Sequence, residues 1–110
     1  MSQSERRKSP RFSVNVPVRV TSGADTFAGI LKDLCRDAAL VESQRAAALG
    51  SEVALALALP GTGGPLQVAG RVVRLGAGDH GGHDIAVLFT NLTSAAETRI
   101  DFFITLQQGG

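Results

Sequence analysis

The 110-residue chain has no tryptophan, no tyrosine and a single cysteine, and each shortage closes off a class of protein. One thiol, Cys35, cannot form an internal disulfide, which fits the reducing cytoplasm. There is no stacking platform of Tyr or Trp for single-stranded nucleic acid, and a net charge of +1 gives no general pull toward nucleic acid or membrane. No apolar run approaches the roughly 18–20 residues of a membrane span. The charged opening MSQSERRKSP has no apolar segment of the signal-peptide kind. The two histidines, His80 and His83, stand near Asp79 and Asp84 in a Gly-rich loop but lack the ligand spacing of a structural zinc site, so no metal or cofactor is expected. No nucleophile, base and acid stand in a catalytic arrangement either, and Cys35 reads as a small packed residue. An enzyme is not expected. What remains is one domain, 44% hydrophobic and 19% charged, large enough for a single core.

Apolar residues recur with a period of two along most of that length. In FSVNVPVRV, Phe12, Val14, Val16, Val18 and Val20 share one face, and Pro17 predicts an edge or bulge position because it cannot donate to a ladder. TFAGILKDL follows a turn at TSGAD and pairs back as a hairpin; ALVES is a short third strand. SEVALALALP is rich in helix formers, yet Val53, Leu55, Leu57 and Leu59 alternate with alanines between Gly50 and Pro60, which predicts a fourth strand. LQVAGRVVRL and HDIAVLFTNL complete six, with a bulge expected at Gly70 where the apolar phase shifts. The last segment changes period. SAAE at Ser94–Glu97 fits a capping box, and Ala96, Ile100, Phe103 and Ile104 fall on one helical face. Six strands and a closing helix predict an antiparallel barrel or sandwich.

Polar residues concentrate in two places. ERRKSPRF carries Arg6, Arg7 and Arg11 just ahead of the first strand; KDLCRDA carries Lys32, Asp33, Arg36 and Asp37 after the second. A hairpin returns the end of the second strand to the start of the first, so the arginines and Asp33 meet at one end of the fold. The plainer reading is a solvated tail and a self-bonded turn. The sharper one is a guanine-nucleotide site. Arginine grips phosphate through its planar fork, stacks on purines and bonds guanine O6 and N7; a carboxylate accepts from the guanine N1–H and amino group. GAGDHG at 76–81 also has the dinucleotide-binding spacing, but a strand rather than a helix follows it, and a hairpin loop is expected.

These residues, in this order, resemble the PilZ domain family of bacterial cyclic di-GMP receptors. The family pairs Arg-x-x-x-Arg in an N-terminal arm with Asp/Asn-x-Ser-x-x-Gly about twenty residues on. Arg7-Lys-Ser-Pro-Arg11 matches the first motif, with Arg6 as an extra arginine, and HDIAVLFTNLTSAAETRIDFFI is similar to the last strand and helix. The resemblance implies an all-β, six-stranded antiparallel barrel with one C-terminal amphipathic helix. A flexible arm at 1–11 would precede a domain at 12–108, with the barrel at 12–92 and the helix at 93–108. It implies cyclic di-GMP bound by Arg6, Arg7 and Arg11 with Asp33, Cys35 and Ala38, and Arg36 reaching a phosphate. The second motif departs from the family at Cys35, where serine is usual, and at Ala38, where glycine is. A thiol is the weaker hydrogen-bond partner. Where the glycine supplies a left-handed backbone, alanine costs on the order of 1–2 kcal/mol; where it makes room for the base, the methyl crowds it. Together these changes weaken binding by roughly ten- to a few hundred-fold. Two functions follow: a receptor that signals to an unidentified effector protein, as monomer or homodimer, or a nucleotide-free interaction module, for example in motility or cell polarity. Specific nucleic-acid binding and membrane insertion are not expected.

Overall fold

The computed structural model describes residues 12–61 and 64–109. The arm at 1–11, with Arg6, Arg7 and Arg11, lies outside the described residues. Six strands follow in chain order: β1 Phe12–Ser22, β2 Asp25–Leu34, β3 Ala38–Ser43, β4 Glu52–Leu57, β5 Leu66–Ala77 and β6 His83–Phe89. They close into a barrel in the order β1-β2-β3-β6-β5-β4, every neighbouring pair antiparallel. Closure rests on β1 pairing with β4, from Val18 opposite Leu57 to Thr21 opposite Ala54. This resolves the barrel-or-sandwich alternative and leaves no free sheet edge between them.

The alternation predicted from the sequence is the inside–outside alternation of the barrel wall. Val16, Val18 and Val20 of β1 and Val53, Leu55 and Leu57 of β4 are buried in one core with Leu31, Leu34, Val41, Ile85 and Val87. Each such side chain stabilises the fold by roughly 1.5–3 kcal/mol relative to exposure. Pro17 lies just beyond the last β1–β4 rung and beside a register shift between Ser13 and Val16, positions where a missing N–H costs nothing. At the β1–β2 hairpin Gly23 has φ 63°, the positive value a two-residue turn demands at its first position.

The helix α1, Ser94–Gly109, packs against the barrel. Ala96, Ile100 and Phe103 are buried in the core, and Ile104 packs against it. Its cap differs from the expected Ser94 box. Thr93 supplies the hydroxyl, accepting from the Ala96 N–H at 3.1 Å, and the Thr93 carbonyl accepts from the Glu97 N–H at 2.9 Å. Gly70 also differs from expectation. The register shift in β5 falls between Val72 and Arg74, not at Gly70. Gly70 is glycine because an added Cβ would stand 2.4 Å from Val87 Cγ1 and 2.9 Å from the Leu88 carbonyl oxygen. Its side is needed for close strand packing.

Candidate functional site

Two bulges shape the outer wall of β2, β3, β6 and β5. In β2 the register with β3 shifts between Leu31 and Asp33, so two consecutive residues, Lys32 and Asp33, come outward between the buried Leu31 and Leu34. In β5 the shift between Val72 and Arg74 has the same effect, turning Arg74 outward where strict alternation would aim it into the core. Asp33 pairs with Leu40, Leu40 with Ala86 and Ala86 with Arg74. These four residues form one cross-strand row, acidic at one end, basic at the other and apolar between. They line a concavity of about 90 Å3 together with Cys35, Ala38 and Ala39.

The turn from β2 to β3 is pinned by backbone bonds. Cys35 N–H donates to the Ala38 carbonyl at 3.0 Å, and Phe89 N–H donates to the Asp37 carbonyl at 2.8 Å. The Cys35 thiol donates to Asp37 Oδ1 at 3.1 Å and lies 3.5 Å from the Ala38 carbonyl oxygen. Burial, then the Asp37 carboxylate, pushes its pKa up, so it stays a protonated donor and a poor nucleophile. Ala38 does not have a positive φ; among described non-glycine residues only Asn91, at φ 57°, does. Of the two costs foreseen for alanine at this position, left-handed strain is therefore absent and crowding remains.

Arg36 points elsewhere. Its Nε donates to Asp101 Oδ1 of α1 at 2.7 Å, and with Glu97 and Asp101 it borders a separate cleft of about 110 Å3. The structure thus brings Asp33, Cys35 and Ala38 together and turns Arg36 away to bond Asp101 of the helix. Arg74, Leu40 and Ala86 were not singled out by the sequence. The one signal for Arg74, an arginine where strict alternation would aim inward, is masked by the apolar Val73 beside it.

Lys32 turns away from this concavity to a second cluster. Its Nζ donates to Asp79 Oδ2 at 3.0 Å and to Asp84 Oδ1 at 3.4 Å, and stands 3.8 Å from Glu42 Oε1. Glu42 in turn accepts from the His80 backbone N–H at 3.0 Å, with His80 Nδ1 3.3 Å away. The Asp79 hydrogen bond raises the Lys32 pKa; Lys32 lowers that of Asp79, and the His80 N–H foremost lowers that of Glu42. The acidic loop considered for a metal is thus bound to a lysine. Among the described residues no group of three or more His, Cys, Asp or Glu is placed to hold a metal ion, and no helix is long and apolar enough to cross a membrane.

A small closed barrel, capped by a helix and carrying a two-sided concavity on its outer wall, defines a binding domain. The PilZ domain sequence model matches residues 5–106, and the chain belongs to the PilZ domain family, whose members are regulatory binding modules. Among solved structures the chain is similar to the Bacillus subtilis inhibitor of motility MotI/DgrA, with TM-score 0.78 and 12% identity over 94% of this chain. It spans 52% of that protein's length. The PilZ domain of Escherichia coli YcgR with c-di-GMP aligns with TM-score 0.72 and 15% identity, covering 94% of this chain and 93% of that one. The PilZ domain of CeSA from a cellulose-synthesizing bacterium aligns with TM-score 0.69 and 24% identity, covering 90% and 99%. No curated protein matches the sequence.

Proposed function

We propose that this chain is a cytoplasmic cyclic di-GMP receptor that signals through contact with an effector protein. The observation that carries the reading is the row from Asp33 to Arg74, which lines one concavity with Cys35 and Ala38. Phe12 pairs with Leu34 and Ser13 with Asp33, so the chain enters β1 beside the acidic turn. Arg11 directly precedes Phe12, and Arg7 is four residues further back, at most about 14 Å of extended chain. In this reading Arg7 and Arg11 clamp phosphates and stack on guanine, with Arg6 assisting, while Asp33 accepts from the guanine N1–H and amino group. Arg36 joins them on leaving Asp101, a bond between exposed groups that is worth only about 0.2–1 kcal/mol. The neighbour from Escherichia coli was solved with c-di-GMP on the same fold, which supports the ligand class.

Calorimetric titration with cyclic di-GMP tests this, beside Arg7→Ala and Arg11→Ala. The expected result is micromolar or tighter binding that both variants lose. No heat at high nucleotide concentration would favour the second reading, an interaction module without nucleotide. One feature favours that alternative: the Cys35 thiol is already engaged with Asp37.

A further inference from the structure

We propose that Arg74 reads the guanine base of the bound nucleotide, taking the edge opposite the one held by Asp33. The inference rests on the cyclic di-GMP reading above and adds a residue and a selectivity to it. Arg74 stands at the far end of the row Asp33–Leu40–Ala86–Arg74. Three strand spacings of about 4.8 Å separate the two ends, roughly 14 Å of wall. A short carboxylate, a flat base and a long guanidinium arm bridge that span. Leu40 and Ala86, both half-buried, provide the apolar floor between them.

Chemistry decides which base fits. Guanine carries donors on its N1 and amino edge and acceptors, O6 and N7, on the other; a carboxylate suits the first and a bidentate guanidinium the second. Adenine presents a ring-nitrogen acceptor to the carboxylate and an amino donor to the arginine, a mismatch at both ends. The concavity, about 90 Å3, is small beside a whole dinucleotide, so it takes at most one base. The phosphates and second base fall outside it.

The charge pattern supports the assignment. Arg36, Arg45 and Arg71 each sit against a carboxylate, on Asp101, Asp25 and Glu52. Arg74, exposed, has no ion-pair partner among the described residues, so its guanidinium gives up no ion pair there on meeting a base. A one-residue bulge in β5 is what turns it to this face.

The test is calorimetry on the full chain with two probes, cyclic di-GMP and its 7-deazaguanine analogue, which lacks the N7 acceptor. Wild type should bind cyclic di-GMP at least about 10-fold tighter than the analogue, and Arg74→Ala should lose about 10- to 100-fold for cyclic di-GMP while discriminating less between the two. Arg74→Lys keeps charge and strand but not the planar fork, and should recover little of the loss. Arg71→Ala, two rungs along β5, should bind as wild type does. The proposal is overturned by wild-type affinity in Arg74→Ala, by an unchanged ratio between the two probes, or by an equal loss in Arg71→Ala. Wild type that binds no cyclic di-GMP overturns this inference and the receptor reading together; tight binding indifferent to Arg74 overturns this inference alone.

Discussion

Lys32 and Asp33 are consecutive, come outward through the same bulge, and belong to different worlds. Lys32 is the hub of a closed cluster in which Asp79, Asp84 and Glu42 surround one ammonium and tie the β5–β6 loop to β2 and β3. Asp33 lines an open concavity whose opposite wall carries Arg74. The first region closes on itself around one ammonium; the second lines an open concavity with an acidic and a basic end across an apolar floor. A single extra residue in β2 lets the strand contribute one side chain to each task.

Crossed substitutions at these neighbours give the largest expected contrast. Asp33→Ala should lower cyclic di-GMP affinity by about 100-fold, the loss of two hydrogen bonds to a charged acceptor at about 1.5 kcal/mol each, with little change in melting. Lys32→Met should do the reverse, leaving affinity nearly intact and changing the pH dependence of melting. In the wild type, Asp79 and Glu42 titrate below their ordinary values, so their stabilisation is present above about pH 4 and is lost as pH falls through the depressed values. Lys32 titrates above its ordinary value, so its contribution is present below about pH 10.4 and is lost as pH rises through the raised one. Melts by circular dichroism across the pH scale should therefore show a plateau with two falling limbs. In Lys32→Met the alkaline limb should vanish. The acid limb should shrink only in part, because the His80 N–H still holds Glu42. A Lys32→Met protein that lost binding, or an Asp33→Ala protein that lost a limb, would merge the two regions into one.

The contrast between these regions was half legible in the sequence. Strand faces were legible because inside and outside alternate with a period of two, and even the Ala-Leu run of β4 obeyed it. The helix face was legible for the same reason at period 3.6. Bulges were not. Val73 is apolar yet 49% exposed, so its place in the pattern mimics a phase shift at Gly70, and the outward turn of Arg74 stayed hidden. Thr93 and Ser94 are adjacent hydroxyls with equal claims to the cap, which only the bond to Ala96 separates. Closure of β1 on β4 joins residues some forty apart, and nothing local encodes it. Asp33, Cys35 and Ala38 could be grouped because one short turn holds them; Arg36 shares the turn but its partner is 65 residues away.

The turn itself offers the next contrast, between what it lost from the family pattern and what it kept. Cys35→Ser with Ala38→Gly should tighten cyclic di-GMP binding by about tenfold, or 1.4 kcal/mol. The hydroxyl is the better partner, and removing the methyl clears the concavity that Ala38 lines. Stability should move the other way. Ala38 opens β3 without a positive φ, so glycine there relieves no strain and costs roughly 0.5–1 kcal/mol in chain entropy. Affinity and melting should therefore separate in opposite directions, read by calorimetry and thermal denaturation. Unchanged affinity in Ala38→Gly alone would mean that the methyl crowds nothing.

The smallest effect expected is at Asp101, and it asks whether the turn and the helix act together. Arg36 and Asp101 are both well exposed, so Asp101→Asn should cost no more than about 1 kcal/mol of stability. That loss should fade at 1 M salt, where the screening length falls to about 3 Å. The informative readout is affinity. Freed from Asp101, Arg36 gains access to the phosphates beside Asp33, and cyclic di-GMP should bind a few-fold tighter at low salt. Tightening of that kind means that the wild-type ion pair competes with the ligand, so occupancy of the concavity loosens the turn from α1. Equal affinity in both proteins would leave Arg36 as a strut between turn and helix, outside the binding event.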